Sequence, residues 1–274
     1  MNTKSYSDWL IVSDIDGTLN NKLRRTPKVN TNAIDEFVHK KGGNFTLASA
    51  RNVQSLEPHY KNLPNISTPA IVLNGAGIYD FKANKMLWFN PIPQIGKDVI
   101  KKATDKFSAL EIGIFTDDMI YLVKPRISSP VMMALDSLTH KKVKSIDEVP
   151  TSNWGKVIFF CTPWNKKKIR EFVLNESDET LAYIDTSIAS FDMVASNTNK
   201  GTAVLKLAEI LGINTDNIGA IGDYYNDLDM LKTVKHSACC KQAPEDMHSL
   251  CEYTTCHCND GAVADFISYI YKNY

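Results

Sequence analysis

The sequence predicts an α/β fold in which a parallel β-sheet domain is interrupted by an inserted α+β domain. Short apolar strands alternate with amphipathic helices at both ends of the chain, whereas the middle reads as hairpin-like strands. With 274 residues, the chain has room for two domains of ordinary size. We therefore predict a core formed by residues 1–83 and 191–274, and an insertion over residues 84–190.

The first part of the chain supplies three strands and two helices. The predicted strands are WLIVSD, NFTLAS and AIVLNG. Apolar residues at helical spacing predict one helix over 31–39, ended by Gly42 and Gly43, and another over 55–63. Strands joined through helices form parallel sheets with right-handed crossovers. Ligands of such sheets bind beyond the carboxyl ends of the strands.

The middle segment has a different pattern. Three segments are typical of antiparallel strands: KMLWFN, EIGIFTDDMIYLVKP and KVIFFCTP. Two further stretches, 95–107 and 166–173, are typical of amphipathic helices. The alternation of strand and helix returns with NKGTAVLKLAEILGI, a helix ended by Gly212, and with the strand IGAIGD. An inserted α+β domain explains this order.

Charge and hydropathy exclude several classes of partner. Lys plus Arg and Asp plus Glu number 31 each, so there is no net field to attract nucleic acid or an anionic membrane. No apolar run approaches the length of a membrane span, and the N-terminus lacks the apolar core of a signal peptide. We expect a cytoplasmic monomer or weak homodimer whose partner is a small molecule.

Five of the six cysteines lie in the segment 239–258. Cys256, His257 and Cys258, with Cys251 and His248, would offer zinc ligands, but their spacing matches no paired C-x-x-C ribbon. Reduced thiols with a structural role are the expectation in a cytosolic chain.

The stretch WLIVSDIDGTLN ends a buried strand with two acids, Asp14 and Asp16, one residue apart. Two like charges about 4 Å apart repel by ~4 kcal/mol at an effective dielectric of 20, so a cation, a proton or a chemical step has to offset that cost. A plain polar turn explains the same residues. Further polar groups at other predicted strand ends favour a site: Ser49, Asp223, Asn226 and Asp227.

These residue types suit one kind of chemistry. Several carboxylates at one locus favour a hard cation such as Mg²⁺. A phosphate ester beside that ion needs a positive group and donors, which Lys200 at a helix start, Ser49 and Asn226 can supply. One carboxylate can attack to form an aspartyl-phosphate, and its neighbour can act as acid and then base.

The segments DIDGT, LASAR, NKG and GDYYND, in this order, resemble the four motifs of the haloacid dehalogenase superfamily. The chain is most similar to the Cof-type phosphatases, which carry a large cap between the second and third motifs. The resemblance extends over LNGAGIYD and NDGAVADFI and so covers nearly the whole chain. It implies a Rossmann-like parallel sheet with an α+β cap. It also implies a Mg²⁺-dependent phosphatase for a small phosphorylated metabolite, with a sugar phosphate as the first choice.

The resemblance also assigns roles by position in the motifs. Asp14 is the implied nucleophile and Asp16 the implied general acid and base. The implied Mg²⁺ ligands are Asp14, the backbone carbonyl of Asp16, Asp223 and Asp227. The implied phosphate-binding residues are Ser49, Lys200 and Asn226. For Arg51 and Asn74, a structural hydrogen bond explains the residue as well as a role in the site does.

Two motifs differ from the usual family pattern, and three other functions share parts of it. Ser49-Ala50-Arg51 replaces Thr-Gly-Arg, and the segment 239–243 replaces a Gly-Asn-Ala turn. A phosphomutase or other phosphotransferase shares the acids. A dehalogenase has no use for Asp16, and a silent binding protein would tolerate loss of Asp14 or Asp223. Substrate preference is expected to come from the insertion, as a mobile cap with a polar inner face.

Overall fold

The computed structural model describes residues 4–135, 138–151 and 153–274, which divide into two compact units. The first unit holds the chain up to Arg51, Leu56–Leu87 and Asn199–Tyr274, and the second holds Asn52–Ser55 and Trp88–Thr198. None of the helices in the described ranges is long and apolar enough to cross a membrane.

The elements alternate along the chain in the way the sequence predicts for both ends. The strands, in chain order, are β1 (Leu10–Ser13), β2 (Asn44–Leu47), β3 (Ala70–Val72), β4 (Gly77–Asp80), β5 (Lys85–Phe89), β6 (Glu111–Thr116), β7 (Ile120–Val123), β8 (Lys141–Val143), β9 (Trp154–Phe160), β10 (Leu181–Ser187), β11 (Ser190–Ala195), β12 (Ile218–Gly222), β13 (His236–Cys239) and β14 (Tyr253–Thr254). The helices are α1 (Lys28–Asp35), α2 (Val53–Lys61), α3 (Gln94–Lys106), α4 (Ser128–Leu135), α5 (Lys166–Asn175), α6 (Lys200–Leu211), α7 (Leu228–Thr233), α8 (Glu245–His248) and α9 (Ala262–Asn273).

The first unit is built on a five-stranded sheet in the order β14-β13-β12-β1-β2. Its neighbouring strands all pair in parallel, so the predicted parallel sheet is confirmed. Every residue of β1 is buried, which matches its unbroken apolar run and its place inside the sheet. Parallel strands end at the same edge, so the segments that follow β1, β2 and β12 meet there.

Helix α6 shows why its sequence folds locally as predicted. The side chain of Asn199 caps its first turn by accepting a hydrogen bond from the backbone N–H of Thr202 at 2.8 Å. Gly212 ends it in the left-handed conformation, with φ of 68°. The buried face includes Ala203 and Leu207, so the cap, the terminator and the apolar stripe agree.

The second unit has a sheet and a core of its own. Its six strands follow the order β10-β11-β9-β6-β7-β8, and they pair antiparallel except for β7 with β8. Residues of α3 and α5 form one buried cluster with residues of the strands: Val99, Ile100, Ile169, Val173, Trp154, Val157, Phe159, Phe191 and Met193. The two helices therefore cover one face of this sheet.

Two strands do not follow the domain boundaries that the sequence suggested. Strand β5, predicted within the insertion, belongs to a three-stranded sheet with β3 and β4, and the division between the two units falls inside this strand, after Leu87. Strand β11, most of which the sequence assigned to the core, pairs with β9 and β10 in the second unit. In both cases the pairing partner determines the sheet to which the strand belongs, and the residues of a short strand do not reveal that partner.

Candidate active site

The carboxyl ends of three adjacent strands bring the predicted residues to one edge of the parallel sheet. Asp14 follows β1, Ser49 lies just beyond β2, and Asp223 follows β12. Strand β1 lies between β2 and β12. The backbone N–H of Asp14 continues this pairing by donating to the carbonyl of Ile221 at 3.0 Å. All of the predicted site residues belong to the first unit.

Lys200 lies between two of the acids. Its Nζ is 2.5 Å from Oδ1 of Asp14 and 2.6 Å from Oδ1 of Asp227, and all three side chains are buried. Burial alone lowers the pKa of Lys200, but the two carboxylates more than offset this, and its pKa lies above the usual range. The lysine is therefore a fixed positive charge in the site, in contact with acids that stand far from it in the sequence.

The ammonium group of Lys200 does not neutralise all of the acids around it. Burial raises the pKa of Asp14 to about 7; Lys200 opposes the rise, and the charges of Asp227 and Asp223 add to it. Burial and the charge of Asp227 raise the pKa of Asp223 to about 6, although a hydrogen bond from Thr18 lowers it. Three carboxylates share one ammonium group, so the cluster has an excess of negative charge.

Asp227 holds the loop after β12 in place. Its Oδ2 accepts hydrogen bonds from the backbone N–H groups of Asp223, at 3.0 Å, and Tyr224, at 3.3 Å. Because its Oδ1 contacts Lys200, this buried carboxylate fixes both the lysine and the segment that carries Asp223. The sequence implied a metal ligand here, and the contacts add a positioning role.

The two residues that follow Asp16 in the sequence, Gly17 and Thr18, both lie against the side chain of Asp223. Gly17 has φ of 90°, and a Cβ built on it would lie 2.2 Å from Oδ2 of Asp223. Only glycine combines this backbone conformation with so close an approach. Thr18 donates from Oγ1 to Oδ1 of Asp223 at 3.2 Å. Sequence reasoning did not assign Thr18 to the site, although its place directly after the acids was a signal.

The side chain of Asp16 lies apart from the buried acids and pairs with Arg51. Nε of Arg51 is 3.0 Å from Oδ2 of Asp16, and Nη2 is 2.8 Å from the same oxygen and 3.0 Å from Oδ1. The carboxylate of Asp16 is 48% exposed, whereas that of Asp14 is 8% exposed. Arg51, for which the sequence left two explanations open, thus contacts the residue implied as acid and base.

The remaining predicted residues, Ser49, Asn74 and Asn226, differ in their exposure to solvent. Ser49 is buried, and its Oγ accepts a hydrogen bond from the backbone N–H of Arg51 at 3.3 Å. Asn74 lies in a short turn in which its backbone N–H donates to the carbonyl of Ser49 at 2.9 Å. In the same turn, a Cβ on Gly75 would meet the carbonyl oxygen of Asn199 at 2.1 Å, so glycine lets the turn contact the start of α6. Asn226 is exposed in the turn after Asp223.

The three buried acids have the donor set of a site for a hard cation. One carboxylate oxygen from each of Asp14, Asp223 and Asp227 lies within 4.8 Å of the others. In the part of the chain that the structure describes, no other set of three or more His, Cys, Asp or Glu side chains comes this close, the cysteine segment included. Oxygen ligands and excess negative charge fit Mg²⁺, and a cation there would offset both the burial of the carboxylates, which is the main cause of the raised pKa values of Asp14 and Asp223, and their mutual repulsion, which adds to it.

Comparison with known sequences decides the family. The sequence profile of the haloacid dehalogenase-like hydrolases matches residues 11–267, which is nearly the whole chain. This chain is a haloacid dehalogenase-like hydrolase. The resemblance drawn from the four motifs is therefore confirmed.

Relatives and solved structures extend this result. The 5-amino-6-(5-phospho-D-ribitylamino)uracil phosphatase YwtE of Bacillus subtilis is 26% identical over 286 residues, covering 94% of this chain and 96% of YwtE. A haloacid dehalogenase-like hydrolase from Bacteroides thetaiotaomicron has the same fold, with a TM-score of 0.84 at 19% identity, covering 98% of this chain and all of that one. The subclass IIB sugar phosphatase BT4131 follows with a TM-score of 0.76 at 21% identity, covering 98% and 99%.

This haloacid dehalogenase-like hydrolase replaces the usual turn after the fourth motif, and the structure shows what the replacement does. Gln242 donates from Nε2 to the carbonyl of Gly17 at 2.5 Å and accepts from the backbone N–H of Cys258 at 3.1 Å. The altered turn is therefore tied to the loop that follows Asp16. Sequence patterns carry no signal for this contact, because Gln242 stands 225 residues from Gly17.

Proposed function

We propose that this protein is a Mg²⁺-dependent phosphatase that hydrolyses a small sugar-like phosphate monoester through an aspartyl-phosphate on Asp14. Membership of a hydrolase family with phosphatase relatives supports the class of enzyme. The observation that carries the proposal is the buried cluster in which Lys200 pairs with Asp14 and Asp227 beside Asp223. For the substrate class, support comes from the phosphoribityl compound that YwtE is named for and from the sugar phosphatase fold.

In this proposal, Asp14 is the nucleophile. Its position beyond β1 is fixed by the backbone bond to Ile221, and Lys200 contacts only one of its oxygens, Oδ1. We assign the attack on phosphorus to the other oxygen, Oδ2. Lys200 lowers the pKa of Asp14 against the effect of burial, and it thereby favours the charged form that an attacking carboxylate needs.

Asp16 is the proposed general acid and base. It would give a proton to the departing alcohol and then take one from the water that cleaves the aspartyl-phosphate. Its carboxylate forms a bidentate ion pair with Arg51, which contacts both of its oxygens. To exchange a proton with the leaving alcohol, Asp16 therefore has to turn one of these oxygens from Arg51 to the substrate.

The other residues would hold phosphate and cation. Asp14, Asp223 and the backbone carbonyl of Asp16 are the proposed Mg²⁺ ligands, with Asp227 assisting from the same cluster. A bound Mg²⁺ would supply positive charge that stabilises the negative oxygens of the transferring phosphoryl group. Ser49, Lys200 and Asn226 are the proposed contacts of those oxygens, and Lys200 contributes its fixed charge.

An activity screen tests this function. Sugar and polyol phosphates should release inorganic phosphate in the presence of Mg²⁺, and chelation should abolish the release until Mg²⁺ is restored. Ca²⁺ should restore it poorly, because its looser coordination suits in-line transfer less well. Product analysis separates the alternatives: a phosphomutase would return an isomeric sugar phosphate with little free phosphate. Full activity in excess chelator would remove the metal from the mechanism.

We further propose that the second unit sets the preference among substrates. The groups in the first unit address phosphate and cation, which every substrate shares. On the sheet of the second unit, Lys156 and Asp192 alternate with the core residues and so point to the face opposite α3 and α5. Nζ of Lys156 lies 3.6 Å from Oδ2 of Asp192 and 4.6 Å from the ring centre of Phe115.

Asp192 is the residue of this face best suited to recognise hydroxyl groups. It is buried, and burial raises its pKa against the opposing charge of Lys156. Within the described residues, its Oδ1 has no hydrogen-bond partner, a state that costs free energy unless a ligand supplies a donor.

We expect Asp192→Asn to change the ranking of sugar phosphates. A carboxylate offers two acceptor oxygens, whereas an amide offers one acceptor oxygen and an NH₂ group that can only donate. The ratio of kcat/KM for two sugars that differ in one hydroxyl should therefore shift by about tenfold. Measuring the ratio cancels any general loss of folded enzyme. Asp178→Asn, an exposed change in the same unit, is the control. An unchanged ranking in Asp192→Asn would place the preference elsewhere.

A further inference from the structure

The side-chain amide of Gln242 is held in one orientation by its two partners. One partner is the carbonyl of Gly17, which can only accept a hydrogen bond, and the other is the backbone N–H of Cys258, which can only donate one. Nε2 therefore faces Gly17, and Oε1 faces Cys258. Turning the amide over would lose both bonds, so the donor of Gln242 stays directed at the loop that follows Asp16.

The backbone of Gln242 belongs to a turn that is joined to the parallel sheet. The N–H of Cys240 donates to the carbonyl of Gly222, the last residue of β12, at 3.1 Å. The N–H of Ala243 donates to the carbonyl of Cys240 at 2.8 Å and closes the turn around Gln242. The amide thus connects the loop at Gly17 to the end of β12.

The loop that receives this contact is firm at its base and loose at its tip. The carbonyl of Ile15 accepts a hydrogen bond from the N–H of Asn20 at 2.8 Å, but the N–H of Thr18 lies 3.4 Å from the same oxygen, which is longer than usual. Gly17 stands at this tip with φ of 90° and no side chain to restrict its dihedral angles. The hydrogen bond from Gln242 therefore restrains a part of the loop that its own backbone holds weakly.

Two peptide groups meet at the Cα of Gly17, and the proposed function uses one of them. The peptide group before this Cα carries the backbone carbonyl of Asp16, a proposed Mg²⁺ ligand. The group after it carries the carbonyl of Gly17, to which Gln242 donates. Releasing the second group lets the dihedral angles of Gly17 change, and the first group then turns with them. Residues that hold a metal ligand in place in this way commonly contribute about 10- to 100-fold to metal affinity.

We propose that Gln242 is a positioning residue of the active site, which keeps the backbone carbonyl of Asp16 in the arrangement used for the cation. This role rests on the proposed function, since it presumes a Mg²⁺ beside Asp14 and Asp223. Both polar atoms of the amide take part: Nε2 holds the loop, and the bond from Cys258 to Oε1 keeps Nε2 directed at Gly17. The altered turn after the fourth motif thereby contributes to metal binding without contacting the metal.

Gln242→Met tests this role, because methionine has a similar length but offers no donor to Gly17. Mg²⁺ that binds the folded protein raises its unfolding temperature, so the Mg²⁺ concentration that gives half of the full shift reports affinity without reference to turnover. We expect this concentration to rise by about tenfold in the variant. In steady-state kinetics, the loss of turnover should be confined to low Mg²⁺ and should largely disappear when Mg²⁺ is saturating.

Asn259→Ala is the matched control. Oδ1 of Asn259 accepts a hydrogen bond from the backbone N–H of Lys22 at 3.1 Å, so this residue holds the chain after the same loop at a point away from Gly17. The control should keep the wild-type dependence on Mg²⁺. An equal rise of the half-effect concentration in Asn259→Ala would show a general loosening of the loop and would overturn the specific role of Gln242.

The outcomes separate this role from the proposed function. If Gln242→Met unfolds at a lower temperature without Mg²⁺ but keeps the wild-type half-effect concentration, Gln242 is only structural and the proposal falls alone. A wild-type protein whose unfolding temperature does not respond to Mg²⁺ would contradict the metal site and this role together. If Mg²⁺ binds but no phosphate ester is hydrolysed, the proposed function fails, whereas the shift in unfolding temperature still decides the role of Gln242.

Discussion

Asp14→Asn is expected to abolish turnover while leaving the fold intact. The amide cannot form an acyl-phosphate, so kcat should fall by about 10⁴-fold or more for every phosphate ester. Phosphate trapped on the protein by acid quenching should appear with the wild type and be absent from the variant. The fold should survive, because Asn fills the same space and removes one charge from a group in which three acids share one lysine.

The control for this change is Asp229→Asn, an exposed aspartate two residues after Asp227. It should keep wild-type rates and wild-type Mg²⁺ dependence. Circular dichroism and thermal unfolding confirm that both variants are folded. Near wild-type turnover in Asp14→Asn would show that phosphoryl transfer proceeds without a covalent intermediate on this residue, and the proposed mechanism would have to be withdrawn.

Lys200→Met is expected to lose both stability and activity. The change leaves Asp14 and Asp227 buried without their cation, and breaking a buried ion pair from one side costs about 3 kcal/mol or more in the free energy of unfolding. Turnover should fall by about 10²- to 10³-fold, because a fixed charge on the phosphoryl oxygens is lost. Urea unfolding and steady-state kinetics measure the two effects separately.

A double variant distinguishes the structural from the chemical part. Lys200→Met combined with Asp227→Asn removes one of the stranded charges, so stability should recover in part while turnover stays low. Lys206→Met is the matched control on the same helix, since Lys206 pairs with Glu209 at the surface, and both quantities should stay unchanged. Recovery of turnover in the double variant would show that Lys200 acts only by neutralising the charge of Asp227, and not on the phosphoryl group.

The meeting of Asp14, Ser49 and Asp223 at one edge of the sheet could be predicted because it depends on strand order alone. An apolar run followed by an acid or hydroxyl at Asp14, Ser49 and Asp223 indicated the ends of parallel strands, and such ends share an edge. The long amphipathic helix with its cap and terminator was equally readable at Lys200–Leu211. Each of these features is encoded in one short segment of the chain.

The contacts within the site could not be predicted. The pairing of Arg51 with Asp16 and the place of Lys200 between two acids depend on side-chain directions set by residues far apart in the sequence. Short strands such as β13, with the sequence HSAC, owe their burial to neighbours in the sheet. Composition carries no record of those neighbours.

The order of the strands has a consequence for the synthesis of the chain. Strand β1 pairs on one side with β2, which follows closely, but on its other side with β12, about 200 residues later. At 5–20 residues per second, a ribosome needs about 10–40 s to supply that partner. During this time β1 presents its unpaired backbone N–H and C=O groups, in an apolar strand, to other nascent chains. The intervening unit, whose six strands pair among themselves, can fold in the interval. The N-terminal segment is therefore the part of the molecule most in need of a chaperone.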